Sequence, residues 1–318
     1  MTGGYRTRGA VAILLGATMA LAGCTADRAD TTAAETAAAE ADAAFVAAQD
    51  AWRAGRREQL LAPDGWTTLI GLHWIELNAH YIGSSRDSGM RLSKGPPRLG
   101  MLQQRDGRLL FTPERGVALT VDGEPVKGRI ELQDDRSGAP TLVDFDDGKG
   151  QLGVIARGGR RALRVRHLDA DSRLQFSGID HWPADRSWQV EARFSPHPPG
   201  KTLEVASLIG GTETMGNPGE VEFERDGQLF RLQALDDGAG GLLLILADRT
   251  SGQGSYGAGR YLDAGAADAD GLVMLDFNRA YNPPCAFTNY ATCPLPPLEN
   301  RLDLAVTAGE KAYPGPAD

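Results

Sequence analysis

Two cysteines eight positions apart, Cys285 and Cys293, lie inside the run DFNRAYNPPCAFTNYATCPLPPLENRL, residues 276–302. Around them stand Pro283, Pro284, Pro294, Pro296 and Pro297, together with Asp276, Asn278, Arg279, Asn282, Glu299, Asn300 and Arg301. In an exported chain a close cysteine pair reads most simply as a disulfide. Closing so short a loop restricts the unfolded chain by about 2.5 kcal/mol, and the prolines stiffen both flanks by fixing φ. The alternatives are free structural thiols, half of a zinc site, or a nucleophile. Zinc needs two more ligands, and a reactive thiol needs a base and a depressed pKa; no local motif supplies either.

The polar residues allow two readings. Arginine presents a planar fork suited to carboxylate or phosphate, and asparagine both donates and accepts. A rigid loop carrying Arg279, Asn282 and Arg301, with Asn278 and Asn300 beside them, would preorganise a site for a small polar or anionic ligand. Tyr256 and Arg260, in GQGSYGAGRY just upstream, would face the same pocket. In the opposing reading Asn and Asp tie irregular backbone and Arg–Glu pairs staple it. An enzyme alternative makes Asp276 or Glu299 a general acid–base, with an arginine stabilising developing charge. GQGSYGAGRY is no phosphate loop, since it lacks Gly-Lys-Ser/Thr. His167, Asp169 and Asp171 alternate along RVRHLDAD, which reads as the solvated end of a strand. No metal or cofactor is expected.

The elements that must hold these residues begin after a targeting signal. Arg6 and Arg8 precede the short apolar run AVAILLGATMALAG, which ends in Leu21-Ala22-Gly23-Cys24. That tetrapeptide resembles the lipobox of bacterial lipoproteins, which implies lipidation of Cys24 and a protein that sits on a membrane without spanning it. Thr25 follows the cysteine, where an aspartate would favour the inner membrane, so the outer membrane facing the periplasm is expected. Removing residues 1–23 takes two arginines and no acids away, so the formal charge of −9 becomes −11. Such a chain has no electrostatic footprint for nucleic acid.

Residues 24–44 are mostly Ala, Thr, Asp and Glu and read as a tether, although the alanines also suit a helix. Over 45–62 the spacing of Phe45, Ala48, Trp52, Leu60 and Leu61 predicts a short amphipathic α-helix. Beyond Pro63 short alternating runs, RLLFT, LGVIA, RALRVR, QVEARFS, LLLILAD, LVMLDFN and DLAVTAG among them, are punctuated by Gly, Pro and Asp-Gly. EVEFERDGQLFRLQAL reads as a hairpin with a tight Asp-Gly turn. The fold expected is mainly β: two packed β-sandwich-like modules, 63–153 and 154–313. In LVMLDFN the alternation places Asp276 and Asn278 on one face and Phe277 on the other.

The strings GWTTLIGLHWIE, YGAGRYL, DFNRAYNPPCAFTNYATCPLPPLENRL and AGEK resemble the bacterial and archaeal family called domain of unknown function 1684, from about Trp66 to Lys311. Asn289 stands where that pattern has proline. The resemblance implies a related group without an assigned activity. Ile82-Gly83-Ser84 and Val121-Asp122-Gly123 loosely resemble forkhead-associated β-sandwiches; the phosphopeptide-binding histidine and Asn-Gly of that fold are missing. The function expected is an envelope lipoprotein binding a small polar or anionic ligand at the Asn/Arg loop. The alternatives are a carboxylate hydrolase and a structural protein with a macromolecular partner.

Overall fold

The computed structural model describes residues 1–4 and 23–315, with side chains from residue 36 onward. The signal peptide expected over 1–23 falls almost wholly outside these residues, as does the side chain of Cys24. The chain has two compact units, Met1–Ala48 and Gln49–Asp318. Helical backbone runs Gly23–Leu61, so it ends where the 45–62 helix was expected to end and also covers 24–44. Among the described residues no helix is long and apolar enough to cross a membrane.

Among the described residues, all of the β structure belongs to the second unit. Its first module has two sheets around one core. One sheet orders the strands Leu69–Trp74, Arg160–His167, Gly150–Arg157, Val143–Phe145, Thr120–Val121 and Glu124–Pro125; the other orders Met90–Arg91, Ala79–Gly83, Gly100–Arg105, Arg108–Pro113 and Ile130–Glu131. Leu152, Val154, Leu163 and Val165 alternate inward from the first sheet and meet Ile82, Leu102 and Phe111 from the second. Period-two alternation with one buried face is what makes these segments strands. The Arg157–Arg160 hairpin turns on Gly158 and Gly159, both at positive φ (53° and 73°), which a two-residue turn of this hand requires.

The boundary expected between 153 and 154 falls inside Gly150–Arg157. That strand pairs with Arg160–His167, which pairs in turn with Leu69–Trp74. A division there would separate hydrogen-bonded neighbours, so the first module extends to His167.

The second module centres on one sheet, ordered Arg260–Ala264, Leu242–Leu246, Gln228–Asp236, Gly219–Arg225, Gln189–Pro196 and Leu272–Asp276. The expected hairpin is present, with Gly219 opposite Ala234 through to Arg225 opposite Gln228, and Asp226-Gly227 turning at positive φ. One face carries Phe223, Leu232, Leu244, Leu262 and Leu275, covered by Leu302, Val306 and Ala308. The other presents Leu235, Ile245 and Tyr261 to Val205 on the hairpin Thr202–Ala206/Thr212–Gly216. The second layer is therefore largely irregular chain. DLAVTAG forms no strand: Val306 and Ala308 are buried as the alternation required, but their carbonyls accept from the Arg260 guanidinium instead of a neighbouring strand.

Candidate functional site

The Cys285–Cys293 disulfide is present, with Cα atoms 6.2 Å apart. The bridged loop is fastened at several points. Tyr256 Oη donates to Cys285 O at 3.2 Å and Tyr261 Oη to Pro294 O at 2.8 Å. The Leu208 amide donates to Cys293 O at 2.9 Å.

The asparagines point into this scaffold. Asn278, Asn282 and Asn300 are completely buried, as is Arg260. Asn278 accepts from the Asp185 amide and donates to Asp185 O and Asp276 Oδ1, each at 2.9 Å. Asn300 Oδ1 accepts from the Gln233 amide at 2.6 Å, and its Nδ2 donates to Gln233 O and Ile245 O, each at 2.9 Å. Asn282 Nδ2 donates to Lys311 O at 2.8 Å, and its amide donates to Glu310 Oε2 at 2.7 Å. Arg260 donates to Asp248 Oδ2 at 2.9 Å besides the carbonyls of Val306, Ala308 and Glu310. Arg260 and Asn282 thereby satisfy carbonyls of the strandless stretch 306–311, Asn278 satisfies Asp185 and Asn300 satisfies two strands of the sheet, while Asn282 Oδ1 is buried without a partner. Their side chains are thus engaged mainly by the protein's own groups.

The remaining candidates do not converge. The strand ends at Asp276, and Phe277–Arg279 is a 3₁₀ turn, so the face shared by Asp276 and Asn278 is a cap: Asp276 Oδ1 accepts from the Asn278 amide at 3.2 Å. Asp276 Oδ2 accepts from Gln49 and Gln189 and lies 3.3 Å from Arg279 Nε. Those contacts occupy the carboxylate and leave no free general base. Glu299 and Arg301 are exposed; Arg301 bridges to Ala247. Tyr256 is half-buried. His167, Asp169 and Asp171 pair separately with Asp146, Lys149 and Lys94.

What the loop does build is one wall of a cavity of about 560 Å³. Tyr281 and Pro284 enter it from the loop, Tyr261, Asp263 and Asp236 from the sheet, and Asp237 from the turn after Asp236. Trp52, Arg56 and Gln59 reach it from the helix and Trp66 from the turn that follows. The helical residues are spaced i, i+4, i+7, which places them on one face. That face was the available signal in the sequence, and reading the helix for its apolar stripe alone missed it.

The cavity's polar groups are linked. Tyr281 Oη donates to Asp263 Oδ1 at 3.1 Å. Burial holds the Asp263 carboxyl above its ordinary range, with Asp237 adding to the effect and the Tyr281 hydrogen bond opposing it. The Tyr281 phenol is also raised, by burial first and then by Asp263. The Arg56 guanidinium lies 4.6 Å from the Tyr281 ring centroid. Its Nε donates to Glu310 Oε1 at 3.0 Å and its Nη2 to Asn282 O at 2.9 Å. Glu310 is fully buried, and burial raises its carboxyl against the pull of Arg56. Among the described residues no group of three or more His, Cys, Asp or Glu side chains is arranged to hold a metal ion.

No curated protein matches the chain. Among solved structures it is similar to an uncharacterized protein of Haloarcula marismortui, determined in solution by NMR. The two are 34% identical over 44% of this chain and 78% of that one, with a TM-score of 0.37. It also matches the N-terminal FHA domain of EssC, a component of the bacterial type VII secretion apparatus. There the identity is 8% over 30% of this chain and 45% of that one, with a TM-score of 0.24. Residues 174–311 match the model of DUF1684, described as a protein of unknown function. Over residues 174–311, the part that holds the disulfide loop and most of the cavity wall, the chain belongs to DUF1684.

Proposed function

We propose that the chain is a lipoprotein, anchored through Cys24 to the outer membrane and facing the periplasm, that binds a small hydroxyl-rich ligand of carbohydrate type in the aromatic cavity. The anchor rests on the lipobox-like Leu21-Ala22-Gly23-Cys24, and an FHA-like first module without a phosphopeptide site belongs to the same reading. The observation that carries the binding site is the set of aromatic residues, Trp52, Trp66 and Tyr281, lining one cavity with Asp236, Asp237 and Asp263. Aromatic faces pack against the apolar face of a sugar ring, while carboxylates accept from its hydroxyls. An anionic ligand is disfavoured, because three carboxylates face one guanidinium that already bonds to Glu310 and Asn282. The polar ligand expected from sequence is thus retained and its charge revised.

A second reading has a specific observation behind it. Burial, with Asp237 adding to it, holds Asp263 above its ordinary range, and a raised carboxyl in one cavity with a second carboxyl is the arrangement used in general acid–base hydrolysis. Asp263 would give its proton to the leaving oxygen, and Asp237 would take one from the attacking water. Calorimetric titration of the full-length chain with a panel of mono- and disaccharides tests binding, and aryl glycosides offered in parallel test turnover. Binding lost in Trp52→Ala and Asp263→Asn without turnover supports the first reading; release of the aryl group, lost in Asp263→Asn, transfers the case to hydrolysis. No binding to any member of the panel refutes both.

A further inference from the structure

A second cavity, of about 510 Å³, lies where the two β modules meet. The first module contributes Trp74 and the hairpin ends Arg157 and Arg160; the second contributes Ser207, the Gly210–Thr212 turn and Glu213. It shares only the hairpin Thr202–Gly216 with the aromatic cavity, through Glu213 here and Met215 there. Cross-strand pairing puts Val205 opposite Glu213, so Ser207, two residues on from Val205, projects from the same face as Glu213.

Three observations point to a polar ligand. Ser207 is 8% exposed and its hydroxyl has no hydrogen-bond partner. Glu213 Oε1 is likewise buried without a partner. The nearest cation, Arg157 Nε, stands 3.9 Å from that oxygen, beyond hydrogen-bond range. Buried polar atoms are rarely left unpaired, because each one costs its desolvation without recompense.

The cations are held in place for a different partner. Arg157 Nη1 is committed to Asp135 Oδ2 at 2.6 Å and Ala156 O at 2.7 Å, leaving its Nε edge toward the cavity. The Arg160 guanidinium lies 4.1 Å from the Trp74 ring centroid and donates to Glu76 at 3.1 Å. Stacking on the indole fixes the plane of the fork. The cavity thus offers donors on one side, and an orphaned carboxylate oxygen with an orphaned hydroxyl on the other.

We propose that this cavity is a binding site for a small zwitterion of the amino-acid type, its carboxylate held by Arg157 and Arg160 and its ammonium by Glu213 Oε1 and the Ser207 hydroxyl. A simple anion would leave Glu213 unpaired, and a simple cation would leave the arginine edges unused. The volume has room for a free amino acid or a dipeptide.

The test is calorimetric titration of the full-length chain with L-alanine, L-glutamate and L-alanyl-L-alanine. The controls are N-acetyl-L-alanine, L-alaninamide and inorganic phosphate. At least one free amino acid or the dipeptide is expected to bind, and blocking either end should weaken it at least about 10-fold. Glu213→Gln, isosteric with the native side chain, should weaken it about 10- to 100-fold, the range for a charge-assisted hydrogen bond. Arg160→Gln, on an exposed hairpin end, should do the same from the carboxylate side and carries the test if the Glu213 variant folds poorly. Absence of binding by all three zwitterions overturns the proposal. So does phosphate or N-acetyl-L-alanine binding as tightly as the parent compound, or an affinity indifferent to both substitutions.

Discussion

Replacing Asn300 separates the scaffold role from the ligand role for the buried asparagines. The strands Gln228–Asp236 and Leu242–Leu246 pair only at Leu235–Leu243 and Asp236–Leu242, after which they diverge. Asn300 fills the opening: its carboxamide accepts from the Gln233 amide and donates to Gln233 O and Ile245 O, as a peptide group of an intervening strand would. Asn300→Ala removes three buried hydrogen bonds and leaves one amide and two carbonyls unpaired. At about 1–3 kcal/mol for each orphaned group, with incomplete additivity, the loss is about 3–5 kcal/mol. With m near the upper end of the usual ~1–3 kcal/mol/M, the urea midpoint should fall by more than about 1 M. Asn300→Asp keeps the acceptor for Gln233 but turns a second acceptor toward two carbonyls unless the carboxyl is protonated. Its folded-state pKa should therefore lie above the unfolded value of ~3.9, so the variant gains stability as pH falls and loses it as pH rises through the folded pKa. An Asn300→Ala stability within about 1 kcal/mol of the wild type, a midpoint shift under about 0.3 M, refutes the reasoning, as does an Asp variant more stable at alkaline than at acid pH.

Three further outcomes are expected. Replacing Cys285 and Cys293 with serine should lower stability by about 2.5 kcal/mol through the freed unfolded chain; equal urea midpoints for the double variant and the wild type would contradict this. His181 is pushed down to about 4, by burial first and by Arg53 second, so the native state resists a proton that the unfolded chain accepts near 6.5. The stability this group supplies is full above pH 6.5 and is lost as pH falls toward 4. After discounting for its partial exposure that is about 1–2 kcal/mol, read as the difference between wild-type and His181→Gln urea midpoints at pH 7 and pH 5; parallel curves would refute it. If Cys24 carries lipid, Cys24→Ser should move the chain from the membrane fraction to the soluble fraction and remove the acyl mass from its N-terminal peptide; unchanged partitioning would end the anchor proposal.

What the sequence made legible was local. The Asp226-Gly227 turn, the alternation in LGVIA and RALRVR, and the proximity of Cys285 to Cys293 each fix geometry within a dozen residues. Two misreadings share a cause. The boundary near residue 153 followed a change of texture, whereas the pairing that decides it joins residues 160–167 to residues 69–74. DLAVTAG has a strand's alternation, but the partner of its carbonyls is a guanidinium from residue 260. The candidate site residues are dispersed for the same reason. Arg279, Asn282 and Arg301 lie in one run of the sequence, yet one pairs with Asp276, one donates to Lys311 O, and one is exposed beside Ala247.

Donor-rich residues in an irregular segment face two demands, and burial decides which one they meet. Residues 277–313 form no strand of the sheet, yet they cover one face of a six-stranded sheet, so their peptide groups pair through isolated bridges and turns and, where those fail, through side chains. Arg260 and Asn282 bond carbonyls within that segment, and Asn278 and Asn300 tie it to Asp185 and to the sheet. Ligand recognition then falls to groups with capacity left over. Asp263 keeps a carboxylate oxygen beyond the Tyr281 bond, Ser207 and Glu213 hold unpaired buried oxygens, and Arg56 and Arg157 each turn part of a fork toward a cavity. A rigid, proline-rich, disulfide-closed loop is therefore better understood as the support that brings Tyr281 and Pro284 to the aromatic cavity and, through Cys293 O and the Leu208 amide, steadies the turn that carries Ser207.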